Sequence, residues 1–302
     1  MRYGLLLLPV LLLSALPGFY TTAHGEESLL IFAGAASKPP TEEAARVFEK
    51  KTGTKVDLVF GGSGFVLSQM ILAKKGDIYF PGSSDFMEIA KKKGAVIAET
   101  EQKVVYLVQA INVQKGNPKG IFNLRDLARP GVRVAIANPE GVCVGLYAVE
   151  TIEKEFSAAE KAAFKRNLMN YTESCEKTAT AISLKTVDAV IGWSVFQHWD
   201  PERIETVPLK KSEISRIGYI PIAVSSFSNN RARARQFIDF LLGDTLRQDV
   251  VKGDTLRQDV PKGKAIYRKY HYFMSPEEAS AWIGATKPVG GEYALPADWR
   301  PK

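Results

Sequence analysis

The sequence predicts an α/β protein of two lobes, in which each lobe is a mostly parallel sheet flanked by helices. Short apolar runs alternate with glycine-rich turns and helical patterns along most of the chain. Two long apolar runs, at residues 104–113 and 217–224, bracket a central α/β block. Such runs are expected where a chain crosses from one lobe to the other and returns. A single doubly wound sheet is the alternative that this pattern leaves open.

The N-terminal part of the chain repeats a strand, a turn and a helix three times. Strands are predicted at residues 29–33, 56–60 and 77–80. Pro39 and Pro40 suit the first turn of the first helix, because proline needs no N–H partner there, and Gly53 ends that helix. The third helix runs through Lys93. This order implies parallel strands whose carboxyl ends meet at one edge of a sheet.

The central block continues the same pattern. Strands are predicted at residues 133–137 and 188–193, with helices at 142–153, 158–168 and 178–184, and a further helix at 232–242. We therefore assign residues 26–109 and 225–302 to a discontinuous first lobe and residues 110–224 to a second lobe. The crossings are predicted near residues 108–112 and 222–225.

The first 25 residues are predicted to be a cleaved signal peptide. Arg2 gives a positive start, residues 5–16 are almost wholly apolar, and Ala23 and Gly25 are the small residues that a signal peptidase reads. The apolar run is shorter than the roughly 20 residues that span a bilayer, although a retained membrane anchor is an open alternative. Cleavage near Gly25 predicts a periplasmic protein.

The composition argues against nucleic-acid binding and against catalysis. The 302 residues carry a formal net charge of +7, but the basic residues occur as scattered pairs and triples rather than as one stripe. There is no G-x-S-x-G, no H-E-x-x-H and no P-loop. Ser63 lies in G-G-S-G-F, which lacks the second glycine of a nucleophile elbow. An exported hydrolase is therefore the weakest of the alternatives.

Three turns follow predicted strands and precede predicted helices, at residues 33–37, 61–64 and 139–145. Glycine lets the backbone approach a ligand closely, and a helix N-terminus offers unpaired N–H groups and a positive dipole end. In open α/β sheets, ligands bind beyond the carboxyl ends of the strands. The three turns together therefore predict a small-anion site in a cleft shared by the two lobes.

Several segments resemble the periplasmic molybdate-binding proteins. They are LIFAGAAS at 30–37, VFEKKTG at 47–53, GGSG at 61–64, NPE at 138–140, GLYA at 145–148 and DAVIGW at 188–193. The resemblance covers most of the chain after residue 25. It implies the Venus-flytrap fold of periplasmic binding proteins and a molybdate or tungstate ligand between the lobes. It also implies a membrane ABC permease as partner, a monomer, no further cofactor and no enzymatic activity.

The family holds its oxyanion with serine hydroxyls and backbone N–H groups, without a formal countercharge. By this resemblance, the Ser37 and Ser63 hydroxyls would donate from the first lobe and the Val144 N–H from the second. The backbone near Cys175 would supply another donor, in a register open by a few residues. Trp193 stands where the family has a tyrosine. Because an indole N–H donates but cannot accept, the preferred oxyanion stays open.

The two cysteines, Cys143 and Cys175, would both lie near this cleft. Three interpretations are compatible with their positions: a disulfide within the second lobe, two buried free thiols, or a thiolate pair for a soft metal or metalloid. The same fold could also bind a sulfate-like or phosphate-like anion. Asp85 is the one nearby acceptor for a protonated anion, and we interpret it instead as a helix N-terminal residue.

One segment, GDTLRQDV, occurs twice, at residues 243–250 and 253–260. A repeat of ten residues returns a helical position about 80° away from its start, at about 100° per residue. The two copies could not bury the same face of one straight helix. We interpret them as a local duplication in a surface element, without a functional role.

Overall fold

The described part of the chain, residues 28–243 and 263–300 of a computed structural model, forms two five-stranded sheets with helices. In chain order the strands are β1 (Ser28–Gly34), β2 (Lys55–Gly61), β3 (Ile78–Phe80), β4 (Gln102–Leu107), β5 (Gln109–Gln114), β6 (Val134–Ala137), β7 (Leu168–Thr172), β8 (Ala189–Trp193), β9 (Ile204–Pro208) and β10 (Gly218–Val224). The helices are α1 (Lys38–Thr52), α2 (Ser63–Ala73), α3 (Ser84–Lys92), α4 (Cys143–Glu155), α5 (Ala158–Asn167), α6 (Cys175–Ser183), α7 (Phe196–Trp199), α8 (Arg231–Leu242), α9 (Gly263–Lys269) and α10 (Pro276–Ile283). The predicted signal peptide and nearly all of the duplicated segment lie outside these described residues.

Each sheet contains one strand that runs against the others. The first sheet has the order β2-β1-β3-β10-β4, and the second has the order β7-β6-β8-β5-β9. Strand β10 is antiparallel to both of its neighbours, and so is β5, whereas the remaining pairs are parallel. The predicted fold class, two lobes with mostly parallel sheets, is confirmed.

The reversed strands mark the crossings between the lobes. The run at residues 104–113, predicted as one long strand, is two strands that belong to different sheets. The break falls at Val108, directly after the end of β4, and its carbonyl accepts a hydrogen bond from the Ser194 N–H at 2.9 Å in register with the β5–β8 ladder. The run contains Gln109 and Asn112 but no glycine or proline, so the sequence gives no sign of such a break.

The second crossing lies earlier in the chain than the sequence predicts. Strand β10 pairs with β3 and β4 of the first sheet, so the return to the first lobe takes place between β9 and β10. Strand β10 therefore belongs to the first lobe and not to the second lobe, for which residues 110–224 were predicted. A strand that is buried on both faces is apolar throughout. Its sequence therefore does not indicate which of the two sheets it joins.

The C-terminal segment also departs from the predicted division, because it leaves the first lobe. Beyond α10 the chain passes the second crossing, where Val289 bridges to Ile217. It then places Trp299 in the core of the second lobe, fully buried against Phe164. The indole N–H of Trp299 donates to Glu153 Oε1 at 2.6 Å. Residues 225–302 are thus not wholly part of the first lobe.

The sequence analysis did not predict strands β7 and β9, helices α7, α9 and α10, or the start of α6. Strand β7 follows α5 without an intervening glycine or proline, and β9 carries the adjacent polar residues Glu205 and Thr206. Helix α6 begins at Cys175, three residues before its predicted start at Thr178, and Ser174 caps it by accepting a hydrogen bond from the Lys177 N–H. Among residues 28–243 and 263–300, no helix is long and apolar enough to cross a membrane.

Candidate functional site

The first lobe presents a tight arrangement of the second and third strand-to-helix turns. Ser63, the first residue of α2, is buried, and its Oγ accepts a hydrogen bond from the Gly82 N–H at 2.9 Å. The hydroxyl of Tyr79 donates to the Ser63 carbonyl at 2.9 Å. A Cβ added to Gly34 would lie 2.6 Å from the Gly82 nitrogen and 2.7 Å from Ser63 Oγ. Glycine at position 34 is therefore required by the close approach of these turns.

Ser37 lies in the neighbouring turn, but its hydroxyl faces the interior of the first lobe. It is fully buried, and its Oγ accepts from the Thr41 hydroxyl at 3.1 Å, while Thr41 also shares a hydrogen bond of 2.7 Å with Tyr267. The carbonyl of Ala36, one residue earlier, accepts from the Tyr272 hydroxyl at 2.6 Å. The Ser37 side chain is thus engaged with α1 and α9, unlike that of Ser63.

The second lobe contributes the N-termini of α4 and α6. Cys143 and Cys175 are the first residues of these helices, and both are buried. Their Sγ atoms lie 3.7 Å apart and are not bonded. Val144 is the second residue of α4, and no side chain caps this helix. The first N–H groups of an uncapped helix have no intrahelical partner and can bind an anion.

Trp193 ends β8 beside these two helices and is fully buried. Its ring packs against Tyr147 with a centroid separation of 4.9 Å. The indole N–H makes no hydrogen bond of standard geometry within the described residues. Burial and the neighbouring Cys143 thiol raise the pKa of Cys175 well above its ordinary value, although the Val144 N–H and Trp193 oppose this rise. The thiol of Cys175 is therefore protonated at neutral pH.

The two lobes meet at these turns. The Gly64 N–H of the first lobe donates to the Gly141 carbonyl of the second at 2.9 Å. A Cβ on Gly62 would lie 2.7 Å from that carbonyl oxygen and 2.8 Å from the Glu173 carbonyl oxygen. A Cβ on Gly82 would lie 2.5 Å from Cys143 Sγ. The structure is consequently a closed form, with Ser63 and Gly82 facing the cysteines across the cleft.

Helix N-termini without side-chain caps surround this cleft from both lobes. Helices α2, α3 and α4 begin after Gly62, Ser83 and Val142, and none of these residues makes a side-chain capping bond. The hydroxyl of Ser83 is buried and has no hydrogen-bond partner among the described residues. Serine is a favoured capping residue, so a Ser83 hydroxyl left without a partner marks a place where a ligand can accept or donate.

An ion cluster closes the cleft on one side. Arg216, in the second crossing, donates to both carboxylate oxygens of Asp85 at 3.0 and 3.1 Å and to Glu150 Oε2 at 2.8 Å. The guanidinium also lies 4.0 Å from the Tyr147 ring centroid. Asp85 and Glu150 belong to different lobes, so Arg216 joins them. The interpretation of Asp85 as a residue of a helix N-terminus fits α3, and its carboxylate is neutralised by Arg216.

A second contact between the lobes is a stacked histidine pair. The rings of His198, in α7, and His271, after α9, lie 3.7 Å apart at an interplanar angle of 15°. Burial, together with the charge of His271, lowers the pKa of His198 below its usual value. This pair belongs to a cavity of about 260 Å³ next to the hinge.

The structure thus brings Ser63, Val144, Cys143, Cys175 and Trp193 close to one another where the lobes meet, whereas the Ser37 hydroxyl accepts from Thr41 in the first lobe. Sequence reasoning missed Ser83 and Arg216. For Ser83 a signal was present, since PGSS at 81–84 precedes a helix as GGSG at 61–64 does. For Arg216 there was none, because its partners are distant in sequence. In the described ranges, no three His, Cys, Asp or Glu side chains gather as a metal site.

The sequence profile of the bacterial extracellular solute-binding proteins matches residues 29–252. A binding protein of Haemophilus influenzae is 25% identical over 219 residues, which cover 70% of this chain and 84% of that protein. The molybdate-binding protein ModA of Mycobacterium tuberculosis is 26% identical over 121 residues, covering 40% of this chain and 46% of that protein. The chain thus spans about half the length of that molybdate-binding relative.

Solved structures show the same fold. The periplasmic molybdate-binding protein of Azotobacter vinelandii superposes with a TM-score of 0.65 at 16% identity, covering 82% of this chain and 99% of that one. The sulfate-binding protein SubI of Mycobacterium tuberculosis gives 0.68 at 15% identity, covering 87% and 94%. The predicted resemblance to periplasmic molybdate-binding proteins is confirmed by these matches. The extent of the profile match shows that this chain belongs to the bacterial extracellular solute-binding protein family.

Proposed function

We propose that this protein captures a small, fully ionised oxyanion, molybdate or tungstate, in the cleft between its lobes and delivers it to a membrane ABC permease. It acts as a monomer in the periplasm, without another cofactor and without catalysing a reaction. The observation that carries this proposal is the meeting of uncapped helix N-termini from both lobes at one closed cleft.

The donors of the cleft are neutral, which suits a dianion that has lost all of its protons. The backbone of α4 at Val144, the hydroxyls of Ser63 and Ser83, and the indole of Trp193 can all donate. The one carboxylate nearby, Asp85, is held by Arg216 in a bidentate pair. The serine hydroxyls can also accept, but the backbone and indole N–H groups only donate and Asp85 is occupied, so the set favours an anion without protons over protonated phosphate.

Hydrogen bonds of this kind can account for useful affinity. A hydrogen bond to a charged group contributes roughly 1.5–3 kcal/mol net. Four or five of them give about 6–15 kcal/mol, which includes the roughly 8–12 kcal/mol of micromolar to nanomolar binding. Exclusion of water from the closed cleft strengthens each contact. Lobe closure around the anion also supplies a shape change that a permease can recognise.

A sulfate-binding function is the second candidate, because sulfate is also a fully ionised tetrahedral dianion and the sulfate-binding SubI shares the fold. The larger central atoms of molybdate and tungstate lengthen their bonds to oxygen. Molybdate and tungstate are therefore expected to differ from sulfate in their affinity for the closed cleft, because glycines fix how closely the lobes approach each other.

A thermal-shift panel on the mature protein tests the proposal. At a ligand concentration of about 100 Kd, binding stabilises the protein by roughly 2.7 kcal/mol, which raises Tm by about 5–11 °C for a protein of this size class. Molybdate and tungstate should produce this shift and phosphate should not. The variant Ser63→Ala should reduce it, whereas Ser68→Ala, on the exposed face of the same helix, should not. A shift with sulfate alone would favour the second candidate, and no shift with any of these anions would refute the proposal.

A further inference from the structure

The proposed binding of an anion by hydrogen bonds assigns no role to the thiols of Cys143 and Cys175. Cys143 and Cys175 are each about 1% exposed, and they begin two neighbouring helices of the second lobe. Across the cleft, Cys143 Sγ faces the backbone of Gly82 so closely that a side chain there would not fit. The two thiols lie where the lobes meet, at the cleft in which we propose that the solute binds.

The spacing of the two sulfur atoms suits chelation of one central atom. They lie 3.7 Å apart. A central atom bonded to both at about 2.3 Å, a typical metal–thiolate distance, would subtend an S–X–S angle of about 107° at a separation of 3.7 Å. The two side chains would therefore need little movement to bind the same atom.

The surroundings of the pair leave hydrogen-bond donors for the rest of the guest. Burial holds the Cys175 thiol in its protonated form, and burial disfavours a thiolate. The buried indole N–H of Trp193 and the hydroxyl of Ser83 have no standard hydrogen-bond partner in the described part of the chain. No third histidine, cysteine or carboxylate joins the cysteines there. The remaining ligands of a bound atom must then be oxygens that the guest itself brings.

We infer that Cys143 and Cys175 condense with the captured oxyacid, so that two sulfur atoms replace one of its oxo groups. This inference rests on the proposed function and narrows it to oxyacids of a thiophilic central atom. For molybdate the step is MoO4²⁻ + 2 R–SH → MoO3(S–R)2²⁻ + H2O. Two S–H bonds and one Mo–O linkage break, two Mo–S bonds form, and both protons leave with the oxygen as water. Molybdenum stays Mo(VI) and the charge of the guest stays 2−, so no oxidant or reductant is needed.

The same step explains how the cleft can separate oxyanions of equal charge and shape. Thiolates bind soft central atoms in preference to hard ones. Molybdate, tungstate and arsenous acid exchange oxygen for sulfur, whereas sulfate and phosphate keep their oxygens. A dithiol in the cleft therefore forms additional bonds to molybdate, tungstate or arsenous acid and forms none to sulfate or phosphate.

X-ray absorption at the molybdenum K-edge tests the inference on the reduced wild-type protein loaded with one equivalent of molybdate. We expect two sulfur neighbours of molybdenum at about 2.3 Å, the length of a metal–thiolate bond, beside the remaining oxygens. In the double variant Cys143→Ser/Cys175→Ser the sulfur neighbours should vanish. Its affinity for molybdate should fall roughly 10–100-fold, as for the loss of groups that support a bound metal.

The outcomes separate this inference from the proposed function. Molybdate held by oxygen neighbours alone, with equal affinity in the serine variant, overturns the thiol chemistry and leaves the oxyanion function standing. Sulfur bonds to arsenic in an arsenite-loaded sample, without molybdate or tungstate binding, overturn the molybdate function and leave the thiol chemistry standing. An intact mass that shows a Cys143–Cys175 disulfide in the protein as isolated from the periplasm also overturns the inference, because a disulfide offers no ligands.

Discussion

Replacement of Arg216 by alanine is the most informative test of how the lobes are held together. The guanidinium is almost completely buried, and it binds Asp85 of the first lobe through two hydrogen bonds and Glu150 of the second through one. Although burial opposes its charge, the neighbouring Tyr147 and Asp85 raise the pKa of Arg216. Arg216→Ala removes one positive charge and leaves two carboxylates facing each other near the crossing.

The expected cost follows from the buried partner that remains. Removal of one member of a buried ion pair costs roughly 3–5 kcal/mol, because the other charge is left uncompensated. For a protein of this size class, where 1 kcal/mol shifts Tm by about 2–4 °C, the loss corresponds to a fall of about 6–20 °C. Arg216→Lys should lose less, since lysine keeps the charge but cannot bind Asp85 with a planar fork.

A double-mutant cycle separates this cost from a loss of packing. Asp85→Asn removes one of the two carboxylates that Arg216→Ala leaves uncompensated, so Arg216→Ala should cost less in the Asp85→Asn background than in the wild type. Residues within one buried network show coupling of roughly 0.5–3 kcal/mol, and we expect a value above 1 kcal/mol. Urea unfolding followed by tryptophan fluorescence measures all four proteins. A loss below 1 kcal/mol for Arg216→Ala, or additive effects in the cycle, would refute the reasoning.

Three further predictions concern closure, the C-terminal segment and pH. Gly62→Ala places a methyl group against two carbonyl oxygens of the other lobe, so the lobes should stay apart. In solution with ligand, the variant should therefore have a larger radius of gyration than the wild type. Trp299→Ala should destabilise the protein by about 3–5 kcal/mol in urea unfolding, because the buried indole leaves a cavity in the second lobe. The lowered pKa of His198 means that the folded state binds its proton less readily than the unfolded state. This contribution to stability is complete above the unfolded pKa near 6.5 and is lost as the pH falls through the lower folded value. Replacement of His271 by glutamine should reduce that loss in thermal melts between pH 8 and 5.

The predictions for closure and for the C-terminal segment each have a matched control. Gly61→Ala adds a methyl group one residue away, where it meets only Val66 of the same lobe, and it should leave the closed form intact. Trp282 is 39% exposed on α10, so Trp282→Ala should cost much less than the change at Trp299. Equal radii for the two glycine variants, equal losses for the two tryptophan variants, or an unchanged pH profile without His271 would each contradict the corresponding argument.

The fold could be predicted because local signals agree with the global arrangement. Gly53 adopts a left-handed conformation at φ 72° where α1 ends, as its position after a periodic segment indicates. The strand-turn-helix order at the N-terminus places the turns of Ser63 and Ser83 at one edge of the first sheet. Patterns of this kind depend on neighbours in sequence, and the sequence displays them directly.

What could not be predicted depends on contacts between distant residues. Strand β10 is apolar along its length, so nothing local shows that it joins the first sheet rather than the second. The Ser37 hydroxyl turns toward Thr41 because Tyr267, more than 220 residues later, supplies a partner for that network. The same holds for Trp299, whose place in the second lobe depends on Glu153.

Anomalous diffraction at the tungsten edge, from crystals of the tungstate-loaded protein, most directly tests whether the cleft is the binding site. We predict one strong tungsten peak between Ser63 of the first lobe and the N-termini of α4 and α6 at Cys143 and Cys175. A peak elsewhere on the surface, or none at a tungstate concentration that saturates the thermal shift, would contradict the assignment of the cleft.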